Sequence, residues 1–497
     1  MVLEIEDVPV PSEPLLRAAS VALPLTEGTP SFRLDAQNKS FKHQYANIYF
    51  LRLRLLRTFV EENAAKKWRN LAGSPKLIPR VLEVTKGQLC FIVGTVYMDM
   101  PLKPNVLEDI GRDRSIPAPP PPRKIFSDDD VVSLEDESGR IRLAGDRVKS
   151  TTLVTGVIAG VLGVETAAGE FEVVDICFAD LPPHDGQDGN EEDAMQVDDA
   201  VEDQDEEYIA VISGLDIGTS AAVEAQTQML AEYLTGEGGG PDDAGVASRI
   251  TRLIVAGNSL YPIEPTEDGP RERKAKRYGH GPANFSPHPI HDLIGLLADV
   301  ARSMPVHILA GQTDPQGVIL PQQPFPRAMF GDASKFASFS CETNPTYLRF
   351  APGSEDDAQP TNGASSSHAY PYTRTILATS GQPLNDLCKY VPTDGTARLD
   401  LAESTLRWRH MAPTAPDTLW CHPFFTTDPF VLRTTPDVYV HGCQPHFATR
   451  LVEDGSKRCR VVLVPSFADS GVLVLVGLRT LNVRTVKFAV VGMAIGE

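Results

Sequence analysis

Four apolar runs in this 497-residue chain each end in a short segment that carries glycine and polar side chains. Val211-Ile212-Ser213 leads into Gly214-Leu215-Asp216, and Leu253-Ile254-Val255-Ala256 leads into Gly257-Asn258. His307-Ile308-Leu309-Ala310 leads into Gly311-Gln312-Thr313-Asp314, and Val438-Tyr439-Val440-His441 leads into Gly442-Cys443-Gln444-Pro445. Carboxylates, amides and imidazoles at strand ends are the materials of a two-metal hydrolytic centre. Such a centre holds its ions about 3.5–4 Å apart, activates a water and braces the leaving oxygen. It needs a bridging carboxylate and several further ligands, and these loops supply few. Asp216 and Asp314 are the only carboxylates in the set, while Asn258, Gln312 and Thr313 are neutral. His441 and His446 flank the fourth loop, and His410 is a further imidazole. A histidine at a strand end is more often structural than a ligand, because a metal also needs a matched ligand count and an outer shell. Asp314, just before Pro315, reads as a turn-capping residue. No metal and no cofactor is expected from this set.

The elements that must position these loops are legible from periodicity. From Tyr208 onward, strand patterns alternate with helical ones, which implies a parallel central sheet with its loops at the strands' carboxyl ends. An amphipathic helix is expected over Thr219–Leu234, stopped by Gly236-Glu237-Gly238-Gly239-Gly240, and a second over Ile290–Met304, stopped by Pro305. The last hundred residues return to strands, such as Arg460-Val461-Val462-Leu463-Val464 and Val472-Leu473-Val474-Leu475-Val476, which suit a second sheet facing the first. Upstream, Ile48, Leu51, Leu55, Phe59 and Val60 mark a helix. Short strands with glycine kinks follow, centred on Cys90–Tyr97, Leu153–Leu162 and Phe171–Phe178, the pattern of a small barrel such as an OB-fold. The expected fold class is therefore α+β and α/β: an OB-fold β-barrel, then a two-sheet sandwich with helices outside. The expected organisation is a flexible tail over 1–40, a helix and barrel over 41–183 with a Pro-rich loop over 113–130, a disordered acidic insertion over 184–207, and the sandwich over 208–497.

The formal charge of −20 is unevenly spread: Asp185–Glu207 holds twelve Asp or Glu residues and no Lys or Arg, so removing it leaves −20 + 12 = −8. Neither part is basic, and the barrel strands carry no groove of cations and stacking aromatics, which argues against autonomous binding of nucleic acid. The one basic cluster, Arg271, Arg273, Lys274, Lys276 and Arg277, reads as a solvated loop or as a nuclear localisation signal. Seven cysteines stand singly with no C-x-x-C pair, which disfavours a zinc or iron–sulfur site and suits a reducing compartment, cytosol or nucleus. No run is long and apolar enough for a membrane helix, and the acidic first residues do not read as a signal peptide.

The order of the four loops resembles the calcineurin-like metallophosphoesterase signature, D-x-H, G-D, G-N-H-[DE] and G-H-x-H. That resemblance places the former ligand positions on Gly214, Asp216, Asn258, Gln312, Thr313, Asp314, Ser380, Cys443 and Pro445, with only Asp314 keeping a ligand type in register. The flanking motifs are similar to the small (B-type) subunits of DNA polymerase delta. They are Leu309-Ala310-Gly311-Gln312-Thr313-Asp314-Pro315, Thr343-Asn344-Pro345, Thr379-Ser380-Gly381-Gln382, the run Arg409–Leu419 with its Thr414-Ala415-Pro416-Asp417-Thr418-Leu419, and Thr427-Asp428-Pro429-Phe430. The resemblance spans roughly residues 41–490. It implies an OB-fold joined to an inactivated calcineurin-like domain, in a non-catalytic nuclear scaffold for DNA replication and repair. It also implies two partners: the Cys-rich C-terminal domain of the polymerase delta catalytic subunit, and a further accessory subunit of that polymerase. DNA would be met only through the complex, and a membrane not at all. The competing reading is a divergent metal-dependent phosphodiesterase or nuclease using Asp216, Asp314 and nearby histidines.

Overall fold

In the computed structural model, residues 16–34, 45–104, 123–184, 206–262, 288–353, 370–392 and 397–490 are described. Their strands form three six-stranded sheets. The first strand is a surprise. Residues 16–34 do not behave as the expected flexible tail: β1 (Ser20–Leu23) pairs antiparallel with the strand Thr346–Pro352. Arg17 donates to the carbonyls of Leu234, Ala247 and Ile250, and Phe32 stacks on Tyr347 at 5.7 Å. A four-residue edge strand carries too little periodic signal to stand out beside so many prolines.

Helix α1 (Asn47–Trp68) lies against a barrel built from β2 (Lys76–Leu77), β3 (Leu89–Asp99), β4 (Val131–Glu135), β5 (Arg140–Ala144), β6 (Ile158–Glu165) and β7 (Glu170–Cys177). Pairing of β3 with β6 closes the sheet on itself, and a short helix α2 (Asp146–Ser150) enters before β6. The strand expected from Leu153 begins only at Ile158, after a turn at Gly156. Of the Pro-rich loop, 123–130 are described: Ile125 is buried and its N–H donates to the Lys389 carbonyl.

The second part opens with β8 (Tyr208–Ile212) and β9 (Ile250–Ala256), joined by α3 (Ala221–Thr235) and α4 (Pro241–Ser248). The Ser220 hydroxyl caps α3 by accepting from the Val223 N–H, and Gly236 ends it in the left-handed region. Helix α5 (His288–Ser303) leads to β10 (Val306–Leu309) and β11 (Phe339–Cys341). Strands β8 to β11 are mutually parallel, as expected, but β17 (Val472–Gly477) and β18 (Val483–Lys487) extend the sheet antiparallel, so it is mixed. The facing sheet runs β1, β12 (Thr346–Pro352), β13 (Arg374–Thr379), β14 (Val438–Gln444), β16 (Lys457–Pro465) and β15 (Ala448–Asp454). Val211, Ile254 and Val474 of one sheet meet Ile376, Val440 and Val462 of the other in a shared core. Outside the first sheet sit α3 and α5, through Leu230, Leu234, Leu293 and Leu297. Outside the second sit α6 (Gln382–Leu387) and α7 (Ala397–Arg407), through Leu384, Leu401 and Leu406. That core is continuous with the barrel interior, since Val96, Val157 and Leu181 share it with Trp408 and Tyr439.

The acidic segment is also shorter at both ends than 184–207. His184 accepts from the Arg458 N–H at 3.0 Å, while Glu206 is buried and accepts from the N–H groups of Arg479 and Thr480. Glu207 accepts from the Tyr372 hydroxyl.

Candidate functional site

The strand-end loops converge where the carboxyl ends of the two sheets meet, and their backbones touch. A Cβ on Gly257 would lie 2.3 Å from that of Ser380 and 2.9 Å from the Gly311 Cα, and one on Gly381 would lie 2.1 Å from the Gly442 carbonyl oxygen. Only glycine fits at these crossings, and both residues adopt positive φ (88° and 92°). The Ser213 hydroxyl accepts from the Cys443 N–H at 2.8 Å, which laces one sheet to the other, and within the first sheet the Gly214 N–H donates to the Gly257 carbonyl at 2.9 Å.

Several polar side chains here have a structural partner. Asp314 is buried and gathers the N–H groups of Gly311 at 2.7 Å, Ser259 at 2.9 Å and Leu260 at 3.1 Å, thereby fixing two loops against each other. Its burial raises the carboxyl above its ordinary range in spite of these donors. The Asn258 side-chain oxygen accepts from the Thr313 N–H. Asn344 joins Gln322 at 2.7 Å, Ser380 at 2.6 Å and Gln382 at 3.0 Å through its amide nitrogen, while its oxygen accepts from the Ser380 N–H. Gln322 and Gln382 bond each other at 3.0 Å, closing a neutral ring of side chains. The Cys443 thiol faces the carbonyls of Ala256 and Gly257, and burial raises its pKa far above the ordinary thiol range.

Among the described residues the Ser259 and Thr313 hydroxyls, Asp216 and His441 lack such bonds. Asp216 is half-buried near Asp469 and Asp314, and burial followed by those two charges pushes its pKa up to about 6. His441 lies buried beside the Tyr439 ring, centroids 4.1 Å apart, with neither ring nitrogen hydrogen-bonded among the described residues; burial lowers its pKa to about 3. His446 lies elsewhere, on the wall of a separate cavity. Among the described residues no three His, Cys, Asp or Glu side chains converge to hold a cation. The basic cluster Arg271–Arg277 lies outside the described residues.

His410 does not join these loops either. It belongs to a second buried network at the junction of helix, barrel and sandwich. Arg52 of α1 donates from Nε to Asp428 at 3.0 Å, and its remaining nitrogens donate to the carbonyls of Gly156, Pro413 and Ala415. His410 Nε2 lies 2.9 Å from the same Asp428 oxygen, and its Nδ1 accepts from the Ala412 N–H, which makes the ring neutral with its proton on Nε2. Burial, helped by Arg52, brings His410 down to about 4. Burial would raise Asp428, but His410 and Arg52 override it and hold the carboxyl well below its usual range. Thr414 and Thr418 both donate to Asp386 at 2.6 Å, and Lys103 pairs with Asp417 at 2.6 Å. Arg409 donates to the carbonyls of Asp180 and Leu181. The Arg409–Leu419 run is thus the seam between the parts. Sequence reading passed over Arg52, although it lies on the same i, i+4 stripe as Ile48, Leu56 and Val60 and so had to face inward.

Barrel and sandwich are each matched by a family model. A family model for the DNA polymerase delta subunit OB-fold domain matches residues 44–176, and a second model, for the B-type subunit of DNA polymerases alpha and epsilon, matches 209–353 and 369–449. The DNA polymerase delta small subunit of Arabidopsis thaliana is 34% identical over 461 residues, covering 92% of this chain and 94% of its own. That of Saccharomyces cerevisiae is 32% identical over 507 residues, covering 96% of each. DNA polymerase delta subunit 2 of Drosophila melanogaster is 34% identical, covering 92% of this chain and 96% of its own. The chain belongs to the family of DNA polymerase delta small subunits.

Proposed function

We propose that this accessory polymerase subunit is a non-catalytic platform, built on a calcineurin-like phosphoesterase frame whose two-metal centre has been replaced by structural bonds. The observation that carries this reading is the neutral ring of Gln322, Asn344, Ser380 and Gln382, with Asn258 and Asp314 committed to backbone N–H groups of neighbouring loops. A bridging site needs a carboxylate free to span two ions, and the Asp314 oxygens are already taken up by three amides. Of the degenerate positions Gly214, Asp216, Asn258, Gln312, Thr313, Asp314, Ser380, Cys443 and Pro445, five then bond one loop to another: Gly214, Asn258, Asp314, Ser380 and Cys443.

The partners we propose are the Cys-rich C-terminal domain of the polymerase delta catalytic subunit and a further accessory subunit, with DNA met only through the complex and the nucleus as the site of action. A surface for such docking is supported by exposed aromatics beside the seam. Trp420 is 65% exposed and Phe425 55%, and the Leu320–Cys421 bridge sets Val318 and Ile319 next to Trp420. Exposed Trp and Phe side chains of this kind are typical interface anchors. Co-purification of the complex tests the reading: Trp420→Ala with Phe425→Ala should release the catalytic subunit's Cys-rich domain or the other accessory subunit while the chain keeps its Tm. Retention of both partners by the double variant would refute docking here.

A further inference from the structure

A cavity of about 680 Å³ lies beyond the fourth loop, where the segment before β4 meets α6, α7 and the start of β15. Its cations are Arg123, Lys124, Lys389 and Arg398, of which Lys389 also pairs with Asp386 at 2.9 Å; its floor includes Leu399 and Leu463, and no Asp or Glu is among the described residues lining it. Arg398 is held at the mouth by neutral partners, donating to Asn385 at 2.8 Å and Gln444 at 2.7 Å, so its charge is positioned without being cancelled there. A cationic rim over an apolar floor fits an acidic peptide with an aliphatic side chain among its acids better than a sugar–phosphate backbone, which has no apolar group to offer the floor.

This chain carries such a peptide. Residues 185–205 hold ten Asp or Glu and no Lys or Arg, and Met195 and Val197 stand between Glu191-Glu192-Asp193 and Asp198-Asp199. Both ends of the segment are fixed, one of them at the amino end of β16, the strand whose Leu463 lines the cavity. His184 is held by Arg458 at the start of β16, and Leu463 lies on the same strand, about 17 Å further on at 3.3 Å per residue. Glu206 is held by Arg479 and Thr480, next to the Leu478 carbonyl that Arg374 of β13 binds. From either anchor to Met195 are eleven residues, a reach of up to about 36 Å, which spans the strand with slack. A segment tethered at both ends meets the cavity at millimolar effective concentration, ahead of any free competitor.

We infer that the Arg123/Lys389/Arg398 cavity is the docking site for this chain's own acidic segment, with Met195 or Val197 on the Leu399 and Leu463 floor and the flanking acids on the rim. The contact is electrostatic and therefore labile: salt weakens it, and a partner that claims either side releases the other.

Hydrogen exchange on the full chain tests this. Neutralising the segment (Glu191→Gln, Glu192→Gln, Asp193→Asn, Asp198→Asn, Asp199→Asn) alters none of the described residues. It should speed exchange at 384–390 and 445–449 several-fold and leave 293–301 unchanged. A peptide of residues 188–205 added to that variant should restore protection, and should fail to do so on Arg398→Glu. Unchanged exchange in the neutralised variant would overturn the inference. So would protection restored by single-stranded DNA but not by the peptide.

Discussion

Two buried polar networks hold this molecule together, and they are made of opposite materials. Where the two sheets meet, Gln322, Asn344, Ser380 and Gln382 form a neutral ring, and the single buried carboxylate, Asp314, is absorbed by amides. Where the barrel meets the sandwich, Arg52, Asp428 and His410 form a charged knot with side chains fully out of solvent. The first occupies the place where the resemblance puts ion-binding chemistry, and it carries almost no charge. The second joins parts that must stay in one orientation, and it retains charge despite the desolvation cost. A buried ion pair is weak evidence for stability but costs heavily when one partner is lost, so it enforces one arrangement. The difference teaches that charge in this chain is concentrated where its parts are joined and sparse where the strand-end loops meet.

The comparison is most readily broken at Asp428. Asp428→Ala leaves the Arg52 guanidinium buried beside backbone carbonyls only, and should cost about 3–5 kcal/mol in denaturant unfolding. A loss below about 1 kcal/mol would show that the knot does not fasten the parts.

Acid should expose both networks at once. His410 and His441 stay neutral in the fold down to about 4 and about 3, whereas the unfolded chain protonates its histidines near 6.5. The unfolded state therefore binds more protons below 6.5, and stability falls with pH by about 1.4 kcal/mol per unit for each ring. At pH 5 that is about 2 kcal/mol each. Asp216, raised to about 6, works in the opposite direction between about 6 and 4, because its folded form takes up the proton first. His441→Leu should leave stability at pH 7 unchanged or higher, since the ring has no hydrogen bond to lose, and should remove about 2 kcal/mol of the loss at pH 5. Equal acid sensitivity in variant and parent would contradict the burial argument.

Within the neutral ring, Asn344→Leu strands the Ser380 N–H and removes one of the donors to each of the Gln322 and Gln382 oxygens, and should cost about 1–3 kcal/mol, less than Asp428→Ala. An effect as large as that of Asp428→Ala would erase the contrast between the networks.

Much of this was legible in the chain. Glycines at 214, 257, 311 and 442 announced the strand-end loops, and the helices over 221–235 and 288–303 fall within a few residues of the periodic segments. What escaped was set by tertiary contact. The segment around Ser20 becomes a strand because β12 offers an unpaired edge, and the bonds of Glu206 come from a loop more than 270 residues away. His410 looked close to the strand-end loops because it is an imidazole in the same half of the chain. Its partner Asp428 lies 18 residues on, and Arg52 lies 376 residues from Asp428, separations no local pattern encodes.

Hydrolysis of a phosphodiester by the purified chain in the presence of manganese tests the central claim most directly. The account predicts no turnover above the protein-free rate, for the parent and for Asn258→Asp alike, because the loops offer too few ligands for two ions and Asp314 is taken up by three amides. Turnover by the parent that disappears in Asp314→Ala would contradict it and return the strand-end loops to catalysis.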